Sequence, residues 1–136
     1  MTLPDWAVPM VSPLDQKMGI VLTELTPERV CGVMPVEGNQ QPFGLLHGGA
    51  NGVLIESLAS MGAYAHGRPR GRAGVGVDLN VTHVRSARSG MVTGVATAIH
   101  LGERLAIYEV TLTDDQGRVT ATGRLTCQMV DLPARG

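Results

Sequence analysis

One carboxylate stands alone in the middle of the chain. From Ala50 to Ala65 the sequence reads ANGVLIESLASMGAYA, and Glu56 is its only charged residue. Helix-forming residues dominate this run and no proline interrupts it, which predicts a helix. A helix that is apolar all round is normally buried, and burying a carboxylate is costly unless it is paired or protonated. Glu56 is therefore a candidate catalytic residue; the alternative is a glutamate that reaches a polar neighbour or solvent.

The start of this helix is rich in glycine. His47, Gly48 and Gly49 stand directly before the apolar run. Glycines there let a ligand approach the backbone, and the free amides of a helix N-terminus carry partial positive charge. Such amides suit a polarised carbonyl or a developing oxyanion, although an ordinary glycine-rich helix start has the same composition.

The spacing of nearby polar residues adds to this picture. Ser60 follows Glu56 by four positions and so projects from the same helix face. Gln41 lies six residues before His47, in a loop that should fold over the helix start. The group contains a base or nucleophile, a hydroxyl that can orient water, and two groups that can polarise a carbonyl. Taken together, they favour acyl transfer to water.

Length, charge and composition limit the class of protein. A chain of 136 residues has room for one domain with a genuine core. The net charge of -1 argues against a nucleic-acid binder. Charged residues make up only 17% of the chain, which favours an oligomer with large subunit contacts. Because no secretory signal and no apolar run of membrane-spanning length is visible, we expect no membrane association and a cytoplasmic protein.

Neither the cysteines nor the histidines show a metal-ligand pattern. Cys31 and Cys127 lie far apart in strand-like segments, and we expect two reduced, buried thiols. The histidines lack ligand-pair spacing, so no metal site is predicted. They are His47, His66, His83 and His100.

Hydrophobic patterning predicts a single α+β domain over residues 1–136, with one long central helix and an antiparallel sheet of five to six strands. Residues 1–17 form an N-terminal extension with a short helix, and residues 131–136 form a tail. Gly67–Gly74, a basic connector, is expected to have no regular structure. The predicted strands are Met18–Leu25, Arg29–Val36, Val75–Arg85, Gly90–Leu101, Arg104–Thr113 and Arg118–Val130.

The segment QPFGLLHGGANGVLIESLAS (Gln41–Ser60) resembles the active-site segment of hotdog-fold acyl-CoA thioesterases. The resemblance continues in NVTHVRSARSG (Asn80–Gly90), in IHLGER (Ile99–Arg104), and in the DDQGR turn and the RLTCQMV ending. It is strongest to the glutamate-type 4-hydroxybenzoyl-CoA thioesterase branch of the PaaI-like superfamily. Within that branch the motifs are similar to those of enterobactin-pathway proofreading thioesterases and 1,4-dihydroxy-2-naphthoyl-CoA thioesterases.

The resemblance implies a role for each residue of the central segment. Glu56 matches the family's catalytic carboxylate, which acts as nucleophile or general base. Gly48 matches the helix-end amide that polarises the thioester carbonyl, and Gln41 matches the assisting side chain. His47 orders that corner, and Ser60 positions water or the leaving group.

The resemblance also implies a binding site for coenzyme A and the acyl group. Phosphate groups need cations and accessible backbone amides, and without the family match a solvated polar loop is the simpler interpretation. Glu103, an acidic residue beside one predicted phosphate site, departs from this expectation. Met61, Tyr64 and Val75 are candidates for the acyl pocket. The predicted substrate-binding residues are Val75, Thr82, His83, Val84, Arg85, Arg88, His100, Leu101, Gly102 and Arg104.

The predicted function is hydrolysis of acyl-CoA thioesters with aryl or otherwise hydrophobic acyl groups, with no cofactor other than the coenzyme A of the substrate. The resemblance implies a homodimer with active sites shared between subunits, and two dimers in a tetramer. One alternative is an acyl-CoA-binding module without catalysis. Another is a hotdog 3-hydroxyacyl thioester dehydratase, but the His-Phe-Pro-Gly type motif of those enzymes is missing and His47 lies only nine residues from Glu56.

Overall fold

The computed structural model describes residues 3–133. The predicted tail begins at the last residue of the final strand, and residues 134–136 lie outside the described part. Two helices, one turn of 3₁₀-helix and six strands follow in this order: α1 (Pro13–Met18), β1 (Val21–Leu25), β2 (Arg29–Pro35), α2 (Gly48–Gly67), the 3₁₀ turn (Arg68–Arg70), β3 (Arg72–His83), β4 (Met91–Leu101), β5 (Leu105–Thr113) and β6 (Val119–Asp131).

The six strands form one antiparallel sheet in the order β1-β2-β4-β5-β6-β3. β3 pairs with β6 at one edge and not with β4, which follows it in the chain. Consequently β3 has one edge without a partner strand in the described chain. Its outward residues are exposed, including Val75, Val77 and Leu79.

Helix α2 packs across the sheet as its central element. Leu54, Ile55 and Leu58 are fully buried against the strands. Leu58 sits over the cross-strand pair Gly32 and Gly94, where an added Cβ would lie 2.7 and 2.6 Å from its methyl groups. These two glycines therefore let the helix approach the sheet closely. The architecture is the one that the hotdog resemblance implies, and in residues 3–133 no helix combines the length and apolar character needed to cross a bilayer.

The prediction that Gly67–Gly74 lacks regular structure is wrong. The segment contains the 3₁₀ turn Arg68–Arg70, and β3 begins within it at Arg72. Arg72 pairs with the last residue of β6, Asp131, through an Nε–Oδ1 contact of 3.0 Å, and also donates to the Glu103 carbonyl. These partners are distant in sequence, so local glycine and arginine content gave no sign of the strand.

The N-terminal segment (residues 3–18) packs against the outer side of α2, as predicted for the extension. Ser12 caps the short helix α1 by accepting a hydrogen bond from the Asp15 amide. Asp15 in turn accepts a 2.7 Å hydrogen bond from Ser57 of α2. Trp6 meets Tyr64 edge to face, with ring centroids 5.5 Å apart.

Candidate active site

The first turn of α2 presents an unpaired backbone amide. His47 is the N-cap residue, and its Nδ1 accepts a 2.8 Å hydrogen bond from the Gly49 amide. The His47 amide itself donates to the Asn39 carbonyl. Within the described chain, the Gly48 amide between them has no hydrogen-bond acceptor. His47 therefore orders this corner, and the Gly48 amide remains available to a ligand.

The side chain of Gln41 is half-buried and folds its own loop. Its Oε1 accepts hydrogen bonds from the amides of Phe43 and Leu45, at 2.5 and 3.3 Å. The backbone N–H of Gln41 donates to the Leu45 carbonyl, which closes the turn. With Oε1 used in this way, the side-chain NH₂ group is the part of Gln41 available to donate to a carbonyl oxygen.

A polar cleft of about 290 Å³ opens at the start of α2. It brings five predicted site residues together: Gln41, Gly48, His83, Val84 and Arg85. Sequence reasoning missed a sixth residue, Asn51, which is only 5% exposed and whose Nδ2 lies 3.1 Å from His83 Nδ1. An amide side chain in an otherwise apolar helix, three residues after Gly48, was the signal that could have revealed it.

A second and larger cleft, of about 480 Å³, adjoins the first through the loop at Arg85. Arg85 and Arg88 line it, and so does Arg118, which the sequence analysis did not select. Arg118 Nε contacts the Asp114 carboxylate at 2.9 Å. Burial raises the pKa of Asp114, but hydrogen bonds from the amides of Arg118 and Gln116 lower it, and the net shift is downward. Three guanidinium groups therefore line a cleft that also contains two acids, Asp114, which is paired with Arg118, and Asp115, which accepts a hydrogen bond from the Met91 amide.

The second predicted basic group lies elsewhere. The turn from His100 to Arg104 docks on the C-terminal end of α2, where His66 Nε2 lies 2.8 Å from the Gly102 carbonyl. His66 and Gly48 are 18 residues apart on one helix, which corresponds to about 27 Å. Within one chain, the structure therefore does not bring this turn to the cleft that contains His83 and Arg85.

Glu56 and Ser60 are half-buried on α2, outside both clefts. The Glu56 carboxylate lies against the backbone of Gly76 on β3. In residues 3–133 it has no side-chain hydrogen bond and no ion pair. Burial, and then the charge of Glu56, raise the pKa of the Cys127 thiol to about 11. Eight residues of helix, about 12 Å, separate Glu56 from Gly48, so the two do not meet within one chain.

The remaining predicted residues lie at several places. Thr82 is exposed near the end of β3, and Val75 is 51% exposed on the same strand. Met61 borders a cavity of about 280 Å³ between the N-terminal segment, β1 and α2. Tyr64 is covered by Trp6, and the Arg68 guanidinium lies 4.6 Å from the centre of the Trp6 ring system. Both cysteines are free and buried, as expected.

Comparison with known proteins identifies the family. The model of the thioesterase superfamily matches residues 43–121, which include the start of α2, Glu56 and most of the sheet. The chain belongs to the thioesterase superfamily. It is 39% identical over 127 residues to the proofreading thioesterase EntH of Cronobacter sakazakii, covering 93% of this chain and 92% of that protein. It is 45% identical over 94 residues to the 1,4-dihydroxy-2-naphthoyl-CoA hydrolase of Escherichia coli, covering 68% of each.

Solved structures agree in fold. A Pseudomonas aeruginosa thioesterase, solved as a glutamine-to-alanine variant, superposes with a TM-score of 0.83 at 40% identity, covering 88% of this chain and 86% of that one. A Staphylococcus aureus thioesterase, solved as separate glutamate-to-alanine and glutamine-to-alanine variants, superposes with a TM-score of 0.83 at 28% and 27% identity. These two structures cover 88% and 87% of this chain, and 99% and 98% of their own.

Family membership decides between the classes of function that the sequence left open. The chain is a hotdog-fold thioester hydrolase. An acyl-CoA-binding module without catalysis and a hotdog dehydratase are both disfavoured, because the named relatives hydrolyse thioesters.

Proposed function

We propose that this thioesterase hydrolyses acyl-CoA thioesters with aryl or otherwise hydrophobic acyl groups. One observation carries the proposal. Glu56, the only carboxylate on α2, lies beside the free edge strand β3, while the unpaired Gly48 amide opens into a cleft with Gln41. A carboxylate and an amide donor are the two groups that hydrolysis of a thioester requires.

The two groups come together in a dimer. Because about 12 Å of helix separates Glu56 from Gly48, each site needs groups from two chains. The edge of β3 forms the proposed interface. A long edge strand has backbone N–H and C=O groups without partners and here also exposes valine and leucine side chains, so it can pair with a strand of a second chain. When two β3 edges pair in antiparallel fashion, the two α2 helices also run antiparallel. The start of one helix, with Gly48, then lies beside the later part of the other, with Glu56. It also brings the turn at His100–Arg104 towards the cleft of the partner subunit. Two such dimers form the proposed tetramer.

The reaction then proceeds by addition and elimination. The thioester carbonyl oxygen accepts a hydrogen bond from the Gly48 amide, assisted by Gln41. Glu56 of the partner subunit either attacks the carbonyl carbon or removes a proton from an attacking water that Ser60 orients. A C–O bond forms and the carbonyl electron pair moves to oxygen. Collapse breaks the C–S bond, and the leaving thiolate takes up a proton released by the reacting water. In the nucleophilic route, that water hydrolyses the mixed anhydride between Glu56 and the acyl group, which releases the free acid and restores the carboxylate. These steps need water and side chains of this protein, and no metal or further cofactor.

Surface chemistry supports coenzyme A as the thiol. The adjoining cleft presents Arg85, Arg88 and Arg118, and guanidinium groups match phosphate oxygens in geometry and charge. The cavity at Met61 is lined by the N-terminal segment and β1, at the opposite edge of the sheet from the strand that Glu56 contacts, so it does not support the choice of acyl group. The named Escherichia coli relative acts on a naphthoyl-CoA, which is an aryl thioester.

The Staphylococcus aureus relative gives independent support for two site residues. Its two solved variants replace a glutamine and a glutamate that lie 15 positions apart. Gln41 and Glu56 are separated by the same interval. The same residue types at the same spacing support the pairing of Gln41 with Glu56 in one site.

The test is an assay of free-thiol release from a panel of CoA esters: benzoyl, 4-hydroxybenzoyl, 1,4-dihydroxy-2-naphthoyl, phenylacetyl and short-chain acyl. We expect aryl esters to be the best substrates. Glu56→Ala should lower kcat by about 10²–10⁴-fold with an unchanged circular dichroism spectrum, since it removes the base or nucleophile. Near-normal turnover by Glu56→Ala, or no turnover of any ester by the wild-type protein, would contradict the proposal.

A further inference from the structure

The cleft at the start of α2 contains a buried polar pair that the reaction above does not use. Asn51 is only 5% exposed, and its Oδ1 has no hydrogen-bond partner within residues 3–133. Its Nδ2 faces Nδ1 of His83 at 3.1 Å. Burying an amide whose oxygen has no partner is costly, so the contact of its NH₂ group with His83 is the polar interaction that accounts for Asn51 in the wall of the cleft.

With the Asn51 amide oriented as in the structure, its contact with His83 favours one tautomer of the imidazole. An amide NH₂ group can only donate, so Nδ1 of His83 must accept with its lone pair. In a neutral imidazole the proton then lies on Nε2. This nitrogen faces the helix start: a Cβ added to Gly48 would lie 3.0 Å from it. A second N–H donor therefore stands beside the unpaired Gly48 amide.

We propose that Asn51 is a positioning residue that holds His83 in the Nε2–H tautomer, so that His83 and the Gly48 amide both donate to the thioester carbonyl oxygen. The inference rests on the proposed function. When the carbonyl electron pair moves to oxygen, the resulting oxyanion receives two hydrogen bonds instead of one. No proton is transferred from His83 in this step.

Asn51→Asp tests the tautomer with almost no change in shape. A carboxylate can only accept, so His83 must protonate Nδ1, and a neutral imidazole in the variant then presents the lone pair of Nε2 to the substrate. Spectra and kinetics are therefore recorded at a pH high enough to keep the imidazole of the variant neutral. Long-range ¹H–¹⁵N spectra of the protein without substrate should show a protonated Nε2 in the wild type and a protonated Nδ1 in the variant. A wild-type spectrum with an unprotonated Nε2 would overturn the inference.

Kinetics on the best CoA ester test the catalytic consequence. We expect Asn51→Asp to lower kcat by about 10–100-fold, with KM changed by less than about threefold, because loss of one oxyanion donor acts on the transition state. His83→Ala should lower kcat by a similar factor. In the His83→Ala background Asn51→Asp should cost nothing further, since it acts through His83. An equal loss in both backgrounds, or an unchanged kcat with a reversed tautomer, would refute the role of Asn51.

Gln128→Glu is the matched control, because it makes the same amide-to-carboxylate change at an exposed position of β6. It should leave kcat unchanged, and a loss equal to that of Asn51→Asp would contradict the inference. Failure of the proposed function gives a different result, namely no thiol release by the wild type. The tautomer measurement needs no substrate, so the two failures are distinguishable.

Discussion

At the scale of single residues, the position of the Glu56 carboxylate depends on a residue without a side chain. Gly76 of β3 leaves the space that the carboxylate occupies, and a Leu125 methyl group borders the same space. The thiol of Cys127 is fully buried nearby and stays protonated because of its raised pKa, so it adds no second negative charge. The Glu56 carboxylate therefore has no second negative charge from Cys127 beside it.

Gly76→Ala should move the Glu56 carboxylate, and so change kcat, while leaving the free energy of unfolding nearly unchanged. The new methyl group would overlap Glu56 Oε2 and lie 3.2 Å from a Leu125 methyl group. The flexible glutamate end can move away at small energetic cost, so we expect the free energy of unfolding to change by less than about 1 kcal/mol. A displaced carboxylate should lower kcat by about 10–100-fold. Steady-state kinetics and urea denaturation check the two parts.

Gly52→Ala is the control for this substitution. A Cβ there would meet Val81 and Leu79 at 3.7 and 3.8 Å, which is ordinary contact. Because alanine favours a helix interior over glycine, this variant should gain about 0.4–1 kcal/mol and keep its activity. If Gly76→Ala retained full kcat, the Glu56 carboxylate would not need its observed position.

At the scale of elements, the outer side of α2 is covered by the N-terminal segment and not by the sheet. Trp6 joins Tyr64 of the helix to Arg68 of the following 3₁₀ turn. Asp15 holds the middle of the helix through Ser57. The segment thus fixes the helix face that carries Met61, next to the turn that carries Glu56.

Trp6→Ala should loosen this attachment. The edge-to-face pair is worth about 0.5–1.5 kcal/mol and the cation–π contact about 0.5–1 kcal/mol, so we expect a loss of about 1–3 kcal/mol in the free energy of unfolding. Because Trp6 is the only tryptophan, urea denaturation must be followed by circular dichroism. Trp6→Phe should retain at least half of the stability by keeping the ring contact. Equal stability of all three proteins would show that the segment is not fixed by Trp6.

Local patterns in the sequence predicted most elements but not their order in the sheet. The apolar run around Glu56 predicted α2, and the turn at residues 114–117 predicted the hairpin between β5 and β6, since both signals are local. The start of β3 at Arg72 was missed because its partners on β6 are almost sixty residues away. The role of Asn51 was missed for a similar reason: its partner, His83, is 32 residues away.

At the scale of the whole molecule, the position of β3 at the sheet edge determines how the site can be assembled. It leaves Glu56 beside an unpaired strand edge, and it leaves Gly48 and the turn at His100–Arg104 near opposite ends of α2. No local pattern contains this information, because it follows from which strand β3 joins. In the proposed dimer, a single chain would contribute one half to each of two sites, because about 12 Å of helix separates Glu56 from Gly48.

Mixing two inactive variants tests this arrangement. Glu56→Gln removes the carboxylate. Gly48→Pro removes the helix-end amide. Proline is tolerated at the first position of a helix, and the preceding residue, His47, already has the extended backbone conformation that proline requires. Each variant alone should lose at least about 10²-fold in kcat.

After equimolar co-refolding, half of the two-fold dimers are mixed, and each mixed dimer holds one intact site. Activity should therefore recover to about a quarter of the wild-type value. Each variant refolded alone is the control, and a mixture that stays inactive while forming mixed dimers would place the whole site within one chain.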